Sequence, residues 1–128
     1  MRSSPTGDGR KPSRKRAVII ESQRLFVPYL SEAIRAAGAD VVRADPRADG
    51  TRLAALQPDV VVLDAAHSPT PALVAIRAIR RALPVATIVV YTNETAPWTS
   101  LARALGADVV LGSDADGGAL VGAFERIT

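Results

Sequence analysis

The stretch Pro58-Asp59-Val60-Val61-Val62-Leu63-Asp64 decides the fold of this 128-residue chain. Four consecutive large apolar residues run between Asp59 and a second carboxylate. So short a run, mostly β-branched and bounded by Pro and Asp, reads as a strand rather than a helix. Being apolar on both faces, it reads as a central strand of a parallel sheet. Asp64 then stands at the carboxyl end of that strand, the edge where open α/β sheets collect ligands and chemistry. Taken alone, Asp64 reads as a solvated strand end or the cap of a turn. The ends of the other strands give it more weight.

Upstream, Ala17-Val18-Ile19-Ile20 is a short strand that ends at Glu21. Ser22 reads as the cap of a helix with apolar positions Leu25, Phe26, Tyr29, Leu30, Ala33, Ile34 and Ala37, spaced three and four apart. Pro28 implies an irregular start near Val27, and Gly38 suits the residue that stops the helix. Residues 41–44 form a second strand, at an edge, broken by Asp45-Pro46. A short helix over 51–56 turns Leu53 and Leu56 inward.

Downstream, 65–71 reads as a loop, with Pro71 in the first turn of a helix whose stripe is Leu73, Ile76, Ile79 and Leu83. Arg77, Arg80 and Arg81 face water or flank that stripe. A strand over 85–91 ends in Thr92-Asn93-Glu94, and a helix over 97–105 buries Trp98, Leu101, Ala102 and Leu105. Gly106 ends that helix, 108–111 is the fifth strand, and Gly112-Ser113-Asp114 is its loop. A last helix over 119–127 buries Leu120, Val121, Phe124 and Ile127. Five β-α repeats mean a doubly wound parallel sheet, and right-handed crossovers favour the flavodoxin-like strand order 2-1-3-4-5. In that order Glu21, Asp64 and Thr92 line one crevice. Glu21-Ser22-Gln23-Arg24 contains no glycine, which argues against a dinucleotide or P-loop site.

Composition removes several classes. The absence of cysteine excludes disulfides and thiolate chemistry, and a single histidine, His67, excludes a histidine-rich metal site. No apolar run reaches the roughly 20 residues that span a bilayer, and the N-terminus lacks the apolar core of a secretory signal, so a cytoplasmic location is expected. The formal charge of +3 divides unevenly: residues 1–16 carry +5 and the remainder −2. Residues 1–15 read as a disordered basic tail and 16–128 as one folded domain. The cluster Arg14-Lys15-Arg16 could touch an acidic partner or serve as a solubilising leader, so nucleic acid is expected through the tail if at all.

These motifs resemble the receiver domains of response regulators in bacterial two-component signalling, from about Arg16 to Ile127. Pro58 to Asp64 is similar to the strand leading into the phosphoacceptor aspartate. Ile88-Val89-Val90-Tyr91-Thr92 resembles the strand ending in the Thr or Ser that senses the phosphoryl group. Ala104 to Leu111 resembles the glycine-alanine turn into the last strand. Glu21 takes the place of the first of two adjacent acidic residues. The pattern departs at Ser22, where the second acid is expected, at Ser113, where the family has its lysine, and at Val110, where an aromatic switch residue is usual. The only lysines are Lys11 and Lys15.

The resemblance implies Mg²⁺ held by Glu21, Asp64 and the Ala66 backbone carbonyl, with Asp64 as phosphoacceptor and Thr92 as switch. Phosphoryl transfer needs positioning and charge neutralisation more than covalent help, and Ser22 removes one negative charge, so a weakly held ion is expected. Ser113 can donate a hydrogen bond but no charge. A charged hydrogen bond contributes ~1.5–3 kcal/mol and a neutral one ~1 kcal/mol, so the phosphorylated state loses about 1–2 kcal/mol of bias. His67 reads as a loop residue before a phosphate relay, and Thr92 reads also as a helix cap. Trp98 and Tyr91 read as packing residues, although the resemblance leaves Trp98 exposed on a partner-binding surface as an alternative.

No helix-turn-helix is read after the last helix, so action through another protein (a histidine kinase, a phosphotransfer protein or an output protein) is expected, with no membrane contact and a homodimer left open. The expectation is a non-enzymatic, stand-alone atypical receiver with weakened or absent Asp64 phosphorylation. The alternatives are a working Mg²⁺-dependent phosphoacceptor and a flavodoxin-like small-ligand-binding domain.

Overall fold

The computed structural model describes residues 14–113 together with Ala119, Leu120 and Gly122. Val60–Asp64 forms β3, and the run of valines that marks it is buried on both faces. It stands in the middle of a five-stranded sheet with β1 (Lys15–Ile20), β2 (Ala39–Asp45), β4 (Thr87–Thr92) and β5 (Val109–Gly112), in the order β2-β1-β3-β4-β5. Every neighbouring pair is parallel, with Ala17 opposite Val60 and Asp64 opposite Tyr91. This is the flavodoxin-like winding expected from the alternation of elements.

Residues alternate across the sheet, and each face has its own core. Val18, Ile20, Val61, Leu63, Ile88 and Val90 face α2 (Gly50–Leu56), α3 (Pro69–Ala82) and α4 (Trp98–Leu105), meeting Leu53, Ile76, Ile79 and Ala102. Ala17, Ile19, Val60, Val62 and Val89 face the other way, onto Leu30 and Ile34 of α1 (Val27–Ala36) and onto Leu120. Each fully buried Val or Ile contributes roughly 1.5–3 kcal/mol of transfer free energy. Ala119, Leu120 and Gly122 are helical. Of the tail expected over 1–15, residues 1–13 lie outside the described residues, as does the expected burial of Val121, Phe124 and Ile127; Lys15 opens β1 and Arg14 donates to Asp40 and to the Arg35 and Ala39 carbonyls, so these two belong to the folded body.

Several local expectations need correction. Ser22 does not cap α1. The chain first makes a 3₁₀ turn over Arg24–Phe26, and α1 begins at Val27 with Phe26 before it and no side-chain cap. Leu25 (90% exposed) and Phe26 (41%) are therefore on the surface. The 3₁₀ turn has three residues per turn, so the 3.6-residue phase that aligned these two positions with Leu30 and Ile34 does not hold through it. Tyr29 (68% exposed) lies inside α1, beside rather than on the buried line of Leu30 and Ile34. Leu101 is also half exposed, because Trp98 and Ala102 carry the buried face of α4. Helix α3 begins at Pro69, which keeps Pro71 in its first turn as expected but shortens the preceding loop, and β4 begins at Thr87, leaving Val85 in solvent.

Of the two placements expected for Arg80, the structure shows the partly buried one beside the stripe. Its Nη1 donates to the carbonyls of Leu83 (3.0 Å), Pro84 (3.1 Å) and Ala86 (2.7 Å), and its Nη2 to the Gly106 carbonyl (2.8 Å) and Asp108 (2.6 Å). It thus ties the end of α3 and the start of β4 to the end of α4. Arg16 plays a similar part at β1, donating to the carbonyls of Leu56 and Gln57. Both arginines sit at the amino-terminal ends of the strands, opposite the candidate site.

Gly106 closes α4 at φ +131°, a region L side chains avoid, and a Cβ there would meet the Arg80 side chain at 2.8 Å. Gly106→Ala is expected to cost about 1–2 kcal/mol from the backbone alone, and more because Arg80 must shift. A urea melt checks this, and an unchanged midpoint would contradict it.

Candidate functional site

The main-chain ladder continues one residue beyond the strands and levels their carboxyl ends. Glu21 N–H donates to the Asp45 carbonyl (2.9 Å), Ala65 N–H to the Tyr91 carbonyl (2.7 Å), and Ser113 N–H to the Thr92 carbonyl (2.9 Å). Glu21, Asp64, Thr92 and Ser113 consequently stand in one row at the top of β1, β3, β4 and β5.

Glu21 is 3% exposed. Its Oε2 accepts the Gln23 N–H at 3.0 Å, which locks the turn after β1. Its Oε1 is buried with no partner other than the neighbouring Asp64 carboxyl. Burial, then contact with Asp64, pushes the Glu21 carboxyl up to about 7, against the pull of the Gln23 and Ser22 N–H groups. Two carboxyls this close cannot both ionise cheaply. Asp64 is half-buried, and its Oδ1 accepts the Ala66 N–H at 2.9 Å.

Thr92 is buried, and its Oγ1 accepts the Glu94 N–H at 2.9 Å, which orders the turn after β4. It does not cap α4, which starts at Trp98 behind Pro97. Ser113 donates its hydroxyl to Asn93 Oδ1, so that hydroxyl is not directed at Asp64. Trp98 is buried, and its Nε1 donates to the Pro69 carbonyl (2.9 Å), a packing role that joins α4 to α3. Ser22 is exposed and adds no charge.

A cavity of about 240 Å³ opens over Asp64, lined also by Phe26, Tyr29, His67, Tyr91 and Asn93. The Phe26 and His67 rings stack, with centroids 6.0 Å apart and planes 12° apart. Burial, then Tyr29 and Asp64, pushes the Tyr91 phenol up. Sequence reasoning missed this aromatic rim, because Phe26 and Tyr29 read as core residues of α1. The adjacency of Tyr91 to Thr92 was the one available signal.

The donor set fits a hard divalent cation in kind: two adjoining carboxyls, one oxygen buried and unpartnered, beside the Ala66 backbone. It fits poorly in number, since no group of three His, Asp or Glu gathers for a metal among the described residues. Among the described residues no helix is long and apolar enough to cross a membrane.

No protein-family model matches the chain. No curated protein matches it either. Solved structures do. A provisionally named pilus assembly-related protein from Burkholderia pseudomallei K96243 superposes with a TM-score of 0.76 at 24% identity, over 88% of each chain. A two-component response regulator of the LuxR family from Aurantimonas sp. SI85-9A1 gives 0.73 at 26% identity, over 90% of this chain and 85% of that one. A response regulator from Burkholderia pseudomallei, with a phosphorylated aspartic acid, a calcium ion and citrate, gives 0.72 at 20% identity, over 86% of this chain and 66% of that one. The fold of this chain is that of a response-regulator receiver domain.

Proposed function

We propose that this chain is an atypical receiver in signal transduction, non-enzymatic, which acts by contact with a protein partner and in which Asp64 is phosphorylated weakly or not at all. The observation that carries this reading is the Glu21–Asp64 pair. Burial and the adjoining Asp64 push the Glu21 carboxyl up, which weakens it as a ligand for a metal ion, and no lysine among the described residues stands at the site to neutralise a transferred phosphoryl group. Ser113, at the lysine position, is engaged with Asn93. Thr92, at the switch position, holds the turn before α4. Partners of the kinase, phosphotransfer or output kind suit the receiver fold.

The second reading, a working phosphoacceptor, is favoured by the orphaned Glu21 Oε1 beside Asp64 and by the calcium ion and phosphorylated aspartate of the similar Burkholderia regulator. Mg²⁺ would then be held by Glu21, Asp64 and the Ala66 carbonyl and would supply charge neutralisation. Glu21 would give up its proton to the solvent for that ion to bind, and Asp64 would present a carboxylate oxygen to the phosphoryl donor. Incubation with acetyl phosphate and Mg²⁺, followed by intact mass, separates the two readings. The expected result is little or no species heavier by about 80 Da. A Mg²⁺-dependent species that Asp64→Asn abolishes would replace the first reading by the second.

A further inference from the structure

The cavity over Asp64 has an uncommon combination of walls. Its floor is a carboxylate beside the buried Glu21 carboxyl, and no lysine or arginine lines it among the described residues. Arg24, close in sequence, is not part of its wall. Its sides are aromatic: the Phe26–His67 stack, Tyr29 and Tyr91. Phe26 and Tyr29 stay exposed (41% and 68%) although α1 has a buried face of its own at Leu30 and Ile34. The Asn93 amide adds a polar group at the rim.

Aromatic faces carry negative quadrupole density and attract cations, most strongly when the site also excludes water. A carboxylate at the base of such a ring adds a charged hydrogen-bond acceptor. The volume limits what enters. About 240 Å³ lies below the ~300–1,000 Å³ typical of drug-sized ligands, so the cavity is too small for a flavin or nucleotide and suits an alkylammonium head.

We propose that this cavity binds a primary ammonium group supplied from outside the chain, either the side chain of a partner's lysine or a small aliphatic amine. The aromatic rim receives the methylene stem, and the ammonium donates to Asp64, supplying a positive charge that none of the described residues lining this cavity carries. The site shares Asp64 with the proposed function but does not rest on whether Asp64 is phosphorylated. The acetyl phosphate experiment and the one below therefore fail separately.

The test is an NMR titration of the full chain, without divalent metal, with Nα-acetyl-lysine N-methylamide and with n-butylammonium chloride. Saturable shifts centred on the amides of Ala66, His67, Tyr91 and Asn93 are expected. Asp64→Asn and Phe26→Ala should each weaken binding by about tenfold. Phe26 is on the surface, so its variant remains informative if the Asp64 variant folds poorly. Tighter binding of the lysine derivative supports a protein lysine as the source, and equal binding supports a free amine. Shifts that never saturate, or equal shifts from potassium chloride or from the neutral Nα,Nε-diacetyl-lysine N-methylamide, would overturn the proposal.

Discussion

Glu21→Gln is expected to stabilise the folded protein and to flatten its response to pH. The Glu21 carboxyl is pushed from an ordinary 4.5 up to about 7 by burial and by Asp64. Between those values the folded chain holds a proton that the unfolded chain has released. Stability therefore falls as pH rises from about 4.5 to about 7, and the loss is complete above that window. Its full size is about 3 kcal/mol. In the Gln variant the amide oxygen still accepts the Gln23 N–H and the amide nitrogen donates to Asp64, with nothing left to titrate. At pH 8 the variant should melt roughly 10 °C above the parent, and near pH 4.5 the two should coincide. Equal slopes of melting temperature against pH in both proteins would show that Glu21 is an ordinary carboxylate.

Arg80→Ala is expected to destabilise the described body by about 3 kcal/mol. It strips donors from the carbonyls of Leu83, Pro84, Ala86 and Gly106 together and leaves Asp108 without its guanidinium. An unsatisfied buried polar group costs about 1–3 kcal/mol, and water reaching the more open carbonyls keeps the total below the sum. Arg80→Lys should recover little, because an ammonium cannot span acceptors that a planar fork serves. The urea midpoint should fall by roughly 1–2 M in both variants. A lysine variant as stable as the parent would refute the bridging role.

The strands and their order were legible because burial on both faces leaves an unmistakable trace: Val60 to Leu63, Ile88 to Val90 and Ala17 to Ile20 carry almost no polar residue. From that order alone, Glu21, Asp64 and Thr92 fall at one end of the sheet, where the structure has them. Periodicity failed at Leu25 and Phe26, because it assumes a continuous α-helical phase and the chain enters α1 through a 3₁₀ turn. Arg80 was unreadable for another reason. Its partners are mostly backbone carbonyls, which every residue possesses, so no side-chain pattern announces them. The aromatic rim escaped notice because Phe26 and His67 are far apart in sequence, and only the return of the chain after β3 stacks them.

The two outermost strands bear on whether the sheet can be extended by a second chain. Along β2, Asp40 and Arg43 set opposite charges on solvent-facing positions, and Arg43 and Arg52 both pair with Asp45. At the opposite rim β5 is only four residues long. Neither offers a long, flat, apolar template for intermolecular strand addition. Growth of the sheet of the described body into a fibril by edge-to-edge strand addition is therefore disfavoured.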